Sequence, residues 1–122
     1  MTKDLQDDIH FRVLRILEQR PDISQRELAR EVGVALGKVN FLLNALAEKG
    51  LIKVRNFRAA SNKRKYAYIL TPAGLSTKAE LATGFLRRKM VEYDALRAEI
   101  ESLQDELEQV RETAPPPLGK GR

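Results

Sequence analysis

Between Lys53 and Lys65 the chain carries Lys53, Arg55, Arg58, Lys63, Arg64 and Lys65 and no acid. Solvated faces normally mix the two signs, so a run of unopposed cations stores repulsion that an anionic partner would relieve. A little upstream, "LGKVNFLLNALAEK" interleaves Gly37, Lys38, Asn40, Phe41 and Asn44 with Val39, Leu42, Leu43 and Leu46. If the apolar set faces a core on one side of a helix, the other five share the outward side. Their chemistry suits the major groove of a duplex. Lysine meets a phosphate or a guanine, asparagine pairs in bidentate fashion with adenine, and an aromatic ring touches a thymine methyl. Gly37 permits close approach of the backbone. The cationic run supplies phosphate contacts through Arg55, Arg58, Lys63, Arg64 and Lys65, with Arg58 and Arg64 the candidates for an A·T-rich minor groove. Each position also has a plainer reading. Asn40 and Asn44 suit a solvated surface, Phe41 suits packing against the first helix or the hairpin, and Lys38 alone decides nothing.

Other chemistries are excluded or unsupported. The chain has no cysteine and a single histidine, His10, which rules out disulfides, thiolate metal sites and cysteine nucleophiles. No glycine-rich phosphate loop occurs, and Asp7 beside Asp8 is not an acid–base pair. The reading is therefore non-enzymatic, with no cofactor and no metal. The N-terminal segment lacks the apolar core of a signal peptide, and no window approaches the roughly 18 apolar residues of a membrane span. A soluble protein is expected, and the absence of cysteine suits a reducing cytoplasm.

The net charge of +5 over 122 residues conceals a division. Residues 1–91 hold 18 Lys/Arg against 9 Asp/Glu, whereas residues 92–112 hold 2 against 8. A basic part followed by an acidic segment points the first toward a polyanion.

The elements that must position these residues can be read from periodicity. Leu5, Ile9, Val13, Ile16 and Leu17 recur at helical spacing and predict an amphipathic helix over 5–19, ending before Pro21. Ser24 followed by Glu27 forms a capping box for a short helix over 25–32, closed by Gly33. The third helix, about 35–49, places Leu36, Val39, Leu42, Leu43 and Leu46 inward and stops at Gly50. Ala35 is a weak cap where Ser or Thr would be stronger. "LIKV" and "YAYIL" then predict an antiparallel hairpin around a polar loop of about ten residues. Thr71 and Pro72 start a helix that meets no proline until about residue 112. Gly84 inside it costs about 1 kcal/mol relative to alanine and leaves a kink there open.

The fold class is thus mainly α with a small β-hairpin: a winged helix-turn-helix followed by a long C-terminal coiled-coil helix. Residues 1–71 form the winged domain, 72–113 the dimerisation helix, and 114–122 a disordered Pro/Gly-rich tail.

A heptad runs through the long helix. Its a positions are Ala79, Leu86, Tyr93, Ile100 and Leu107, and its d positions are Leu75, Ala82, Lys89, Leu96, Leu103 and Val110. Only Lys89 breaks the apolar seam, which predicts a coiled coil from about residue 90. Dimerisation would rest on Leu86, Tyr93, Leu96, Ile100, Leu103, Leu107 and Val110. A parallel pair sets Glu92 against Arg97 and Glu106 against Arg111, whereas an antiparallel pair would tend to face Glu with Glu. Parallel is preferred, on pairs worth a few tenths of a kcal/mol each. The alternative for the first part of this helix is to fold back over the winged domain.

"RELAREVGVALGKVNFLLNALAEKGLIKV", the wing "SNKRKYAYILTPAG" and the helix "FLRRKMVEYDALRAEIESL" together resemble the MarR-type regulators associated with exopolysaccharide (EPS) gene clusters in bacteria. The resemblance covers roughly residues 9–108. It implies a dimeric, sequence-specific, double-stranded DNA-binding transcriptional regulator acting near polysaccharide biosynthesis genes. It also carries reader and wing roles onto Lys38, Asn40, Asn44, Arg58, Lys63 and Arg64. The broader MarR pattern builds its dimer from extra helices at both ends, which frame a small-molecule pocket. Here only a few residues precede the first helix and one long helix follows the wing, so a small-molecule effector stays open.

Two other classes compete. A winged-helix adaptor could recruit a protein partner through its coiled coil, but it has no need of six unopposed cations. An RNA binder would favour exposed stacking aromatics, and Phe41 and Phe57 are few.

Overall fold

The computed structural model describes residues 2–58 and 64–113, Arg64 by its backbone alone. Lys63 and the expected tail at 114–122 lie outside the described residues. In chain order the elements are α1 (Lys3–Gln19), α2 (Gln25–Val32), α3 (Leu36–Glu48), β1 (Ile52–Arg58), β2 (Arg64–Leu70) and α4 (Pro72–Thr113). The chain divides into two compact units, Met1–Leu86 and Arg87–Arg122, and α4 runs through both.

Helix ends form where local chemistry permits. Thr2 caps α1 by accepting from the Leu5 N–H at 3.2 Å, and Ser24 caps α2 by accepting from the Glu27 N–H at 3.1 Å. The Glu27 carboxylate in turn accepts from the Ser24 hydroxyl, at 3.4 Å. Gly33 takes φ +81° and lets the Val34 N–H reach back to the Ala29 carbonyl at 3.1 Å. Gly50, at φ +74°, closes α3 in the same way through Leu51 N–H and Leu46 C=O at 2.9 Å. Ala35 gives α3 no side-chain cap.

The core of the first unit joins all three short helices to the base of the hairpin. Val13, Leu14, Leu17, Leu28, Val39 and Leu43 are fully buried, with Ile23, Leu46, Ile52 and Tyr68 around them. Two expected core positions are corrected. Leu5 is 50% exposed and Leu36 43%, because each lies in the first turn of its helix, beyond the cover of neighbouring elements. Phe11 and Leu14, outside the expected stripe of α1, are buried instead.

The hairpin is longer than its sequence suggests. The register pairs Ile52 with Leu70, Val54 with Tyr68, Asn56 with Tyr66 and Arg58 with Arg64. Most of the expected ten-residue loop is therefore strand. Residues 55–58 and 64–66 hold no Gly or Pro to stop pairing, and long or aromatic cross-strand neighbours favour it. A further bond anchors β2 to the helices: the Tyr68 N–H donates to the Pro21 carbonyl at 2.8 Å.

Thr71 ties the end of the hairpin to the turn before it. Its N–H donates to the Leu51 carbonyl at 3.0 Å, and its hydroxyl donates to the Gly50 carbonyl at 2.6 Å. The same oxygen accepts from the Gly74 N–H at 3.1 Å, so Thr71 caps α4. Within the first unit α4 packs through Gly74, Lys78, Leu81 and Phe85, which recur at helical spacing. Gly74 abuts Leu51, Lys78 pairs with Glu18, and Leu81 joins the core. Phe85 lies against Phe11 with ring centroids 4.6 Å apart. The heptad residues Leu75 and Leu86 stay exposed. Among the described residues, no helix is long and apolar enough to cross a membrane.

Candidate nucleic-acid interface

The third helix divides as its periodicity requires. Val39, Leu42, Leu43 and Leu46 are buried, whereas Gly37, Asn40, Phe41 and Asn44 are exposed and Lys38 is half-buried. Phe41 is 73% exposed, so most of its ring faces outward rather than being tucked against α1 or the hairpin. A Cβ added at Gly37 would meet nothing within 4 Å. The fold itself thus makes no demand for glycine there, and the surface in front of it is open.

The two asparagines are not isolated. The Asn44 amide donates to Asn40 Oδ1 at 3.4 Å, and the Asn40 amide donates to Gln25 Oε1 at 3.2 Å. The Gln25 amide donates in turn to the Tyr68 hydroxyl at 3.0 Å. These contacts run from α3 across the first turn of α2 to β2. Gln25 and Tyr68 were missed by sequence reasoning. The only signal was that Gln25 is the first residue after the Ser24 cap, which places it in the first turn of α2.

The pairing register sorts the hairpin residues onto two faces. Val54, Asn56 and Arg58 share one with Tyr66 and Tyr68; Lys53, Arg55 and Phe57 share the other with Lys65 and Ala67. Val54, Tyr66 and Tyr68 line a cleft of about 330 Å³ together with Gln25, Leu43 and Asn44. The Arg58 face is therefore the one turned toward α3. Of the sequence-predicted wing cations, Arg58 and the backbone position of Arg64 fall on that face. Arg55 and Lys65, both exposed, fall on the opposite one.

A second concavity, about 210 Å³, lies between α1 and α3 and is lined by His10, Lys38, Phe41 and Lys49 among others. Burial, reinforced by the charges of Lys49 and Lys38 and opposed by Asp7, holds the His10 imidazole below its usual value of 6.5. Lys38 and Lys49 thus set two cations along the side of α3 that faces His10. Elsewhere on α1, Arg12 donates to the carbonyls of Glu31 and Val32 at 2.8 and 3.1 Å, closing the C-terminus of α2. Among the described residues, no group of three or more His, Cys, Asp or Glu could hold a metal ion.

In the second unit Tyr93, Leu96, Ile100, Leu103, Leu107 and Val110 are all exposed. Lys89 pairs with Glu92 at 3.3 Å and Arg97 with Glu101 at 3.6 Å, both along the helix itself.

Two helices joined at a tight glycine turn, with a β-hairpin beside the second, define a winged helix-turn-helix domain. Residues 6–53 match the family model described as winged helix-turn-helix DNA-binding, which spans most of α1, α2, α3 and the start of β1. No curated protein matches the chain. Solved structures share the fold. The PcaV transcriptional regulator of Streptomyces coelicolor, crystallised with its natural ligand, aligns at a TM-score of 0.60 and 23% identity over 87% of this chain and 74% of that one. A MarR family protein of Mycobacterium tuberculosis in complex with salicylic acid aligns at 0.58 and 23% identity, over 81% and 75%. A PadR-like transcriptional regulator from Bacillus cereus aligns at 0.64 and 18% identity, over 78% and 97%.

Proposed function

We propose that this protein is a sequence-specific, double-stranded DNA-binding transcriptional regulator. One observation carries the reading: the outward face of α3 and the Arg58 face of the hairpin border the same cleft. With α3 in a major groove, Lys38, Asn40, Phe41 and Asn44 meet base edges and phosphate. Arg58 or Arg64 enters the adjoining minor groove while the other follows the backbone, with Arg55, Lys63 and Lys65 adding phosphate contacts. Gly37 lets the start of α3 approach the backbone. The shared fold with MarR-like and PadR-like regulators supports this assignment.

The protein acts as a homodimer through a parallel coiled coil built on Leu86, Tyr93, Leu96, Ile100, Leu103, Leu107 and Val110. The exposure of all seven in the single chain supports this, since an unpartnered apolar seam of that length calls for cover. Glu92 and Arg97 have partners within their own helix, which leaves the apolar seam as the main source of pairing energy. Twofold symmetry then matches an inverted repeat with half-sites about 34 Å apart, or a multiple of that. The resemblance to EPS-associated regulators supports a role near polysaccharide biosynthesis genes.

The test is selection of bound duplexes from a random pool, followed by titration at several salt concentrations. An inverted repeat should emerge, and affinity should fall roughly a thousandfold or more between about 50 and 200 mM salt. Absence of any preferred sequence would contradict the proposal.

A further inference from the structure

We infer that Gln25 is a specificity-determining positioning residue, which fixes the amide of Asn40 for base reading. This rests on the DNA-binding function proposed above and adds to it a residue outside both the reader helix and the wing.

The hydrogen bonds run in one direction. Asn44 donates to Asn40, Asn40 to Gln25, and Gln25 to the Tyr68 hydroxyl. Each amide spends a donor toward the hairpin. A primary amide has two N–H donors and a carbonyl oxygen with two acceptor sites. Asn40 uses one donor on Gln25 and one acceptor site on Asn44. What it retains for a partner is one N–H and one lone pair, on a plane already set. That pair is what the N7 and N6 edge of adenine requires. An amide free to turn by 180° would present donor and acceptor in either order and would lose rotational freedom on binding.

The far end of the relay is the rigid one. Tyr68 is 7% exposed, belongs to the core, and its own N–H is bonded to Pro21. Its hydroxyl is therefore a fixed post. Gln25 transmits that fixity to α3 from the first turn of α2, which Ser24 caps. A side chain in this place needs both a donor for Tyr68 and an acceptor for Asn40, separated by the length of one amide. Glutamine supplies both; a lysine or a leucine would not.

The experiment uses the full chain and the preferred duplex selected from a random pool. Gln25→Met keeps the length and shape of the side chain and removes both hydrogen bonds. The quantity read is the ratio of affinities for the preferred duplex and for duplexes substituted one base pair at a time. For Gln25→Met that ratio should drop by about tenfold at one or two adjacent base pairs, with the salt slope unchanged and the melting temperature close to that of the parent. Asn40→Ala should lose discrimination at the same base pairs, and the double variant should lose no more than Asn40→Ala alone. Tyr68→Phe should show a smaller loss at those positions. The inference is overturned if Gln25→Met discriminates like the parent while Asn40→Ala does not, or if the two losses multiply. A parent protein that prefers no sequence at all overturns the sequence-specific function proposed above, and that result comes before any variant is made.

Discussion

Gly74, in the first turn of α4, lies so close to Leu51 that a Cβ built on it would stand 2.0 Å from the Leu51 carbonyl oxygen. That oxygen already accepts from the Thr71 N–H. The obstacle is backbone held by a hydrogen bond, so it cannot rotate away as a side-chain tip would. Gly74→Ala should therefore cost about 1–3 kcal/mol through forced displacement. Thermal denaturation should show the midpoint lowered by several degrees, and an unchanged midpoint would mean that α4 docks otherwise.

Arg58 and Lys53 separate the two faces of the hairpin. Arg58 lies on the face turned toward α3, and Lys53 on the opposite face near its base. Arg58→Ala should reduce the slope of log affinity against log salt by about 0.9. Lys53→Ala should leave it unchanged. Equal effects would mean that the base of the hairpin meets DNA as closely as its outer end.

Phe41 has little to lose in the folded protein. At 73% exposure its truncation should change stability by about 0.5 kcal/mol or less. Affinity for the selected duplex should nonetheless fall about tenfold, as expected for loss of an apolar contact to a thymine methyl. Paired melting and binding measurements on Phe41→Ala check both halves.

Much of this was legible in advance, for identifiable reasons. Ser24, Gly33, Gly50 and Thr71 act through local backbone chemistry, so helix boundaries followed from spacing alone. The inward set Val39, Leu42, Leu43 and Leu46 followed from the helical period. Leu5 and Leu36 fit that period yet are exposed, because periodicity reports which side a residue occupies and not whether another element reaches it. The hairpin was read too short, since charged strand residues carry the composition of a loop. Gln25 and Tyr68 were invisible because their meeting depends on tertiary approach across a separation of 43 residues. The stripe of Gly74, Leu81 and Phe85 was hidden behind the neighbouring heptad.

His10 links stability to pH. Its folded value lies below the usual 6.5, chiefly through burial and then through Lys49 and Lys38, against the opposing charge of Asp7. The unfolded chain therefore binds this proton more readily. The contribution is complete above about pH 6.5 and is lost as pH falls through the lower folded value. Denaturation midpoints between pH 8 and 5 should decline toward the acid end, and His10→Gln should flatten that decline.

The exposed seam of α4 should govern oligomeric state. Ile100→Asp with Leu103→Asp puts charge at adjacent a and d positions of the proposed coiled coil. Light scattering should then report half the mass of the parent, while the melting transition of the Met1–Leu86 unit persists. A dimer that survives the double substitution would assign the interface elsewhere.

The most direct test of the central claim is to follow backbone amide resonances of the full chain as the selected duplex is added. Signals of Lys38, Asn40, Phe41, Asn44 and Arg58 should shift together and saturate at one equivalent of half-site per chain. Those of Arg26 and Arg30, exposed on α2, should move little. Shifts centred on α2 or on the acidic part of α4, with α3 and Arg58 unmoved, would contradict the account.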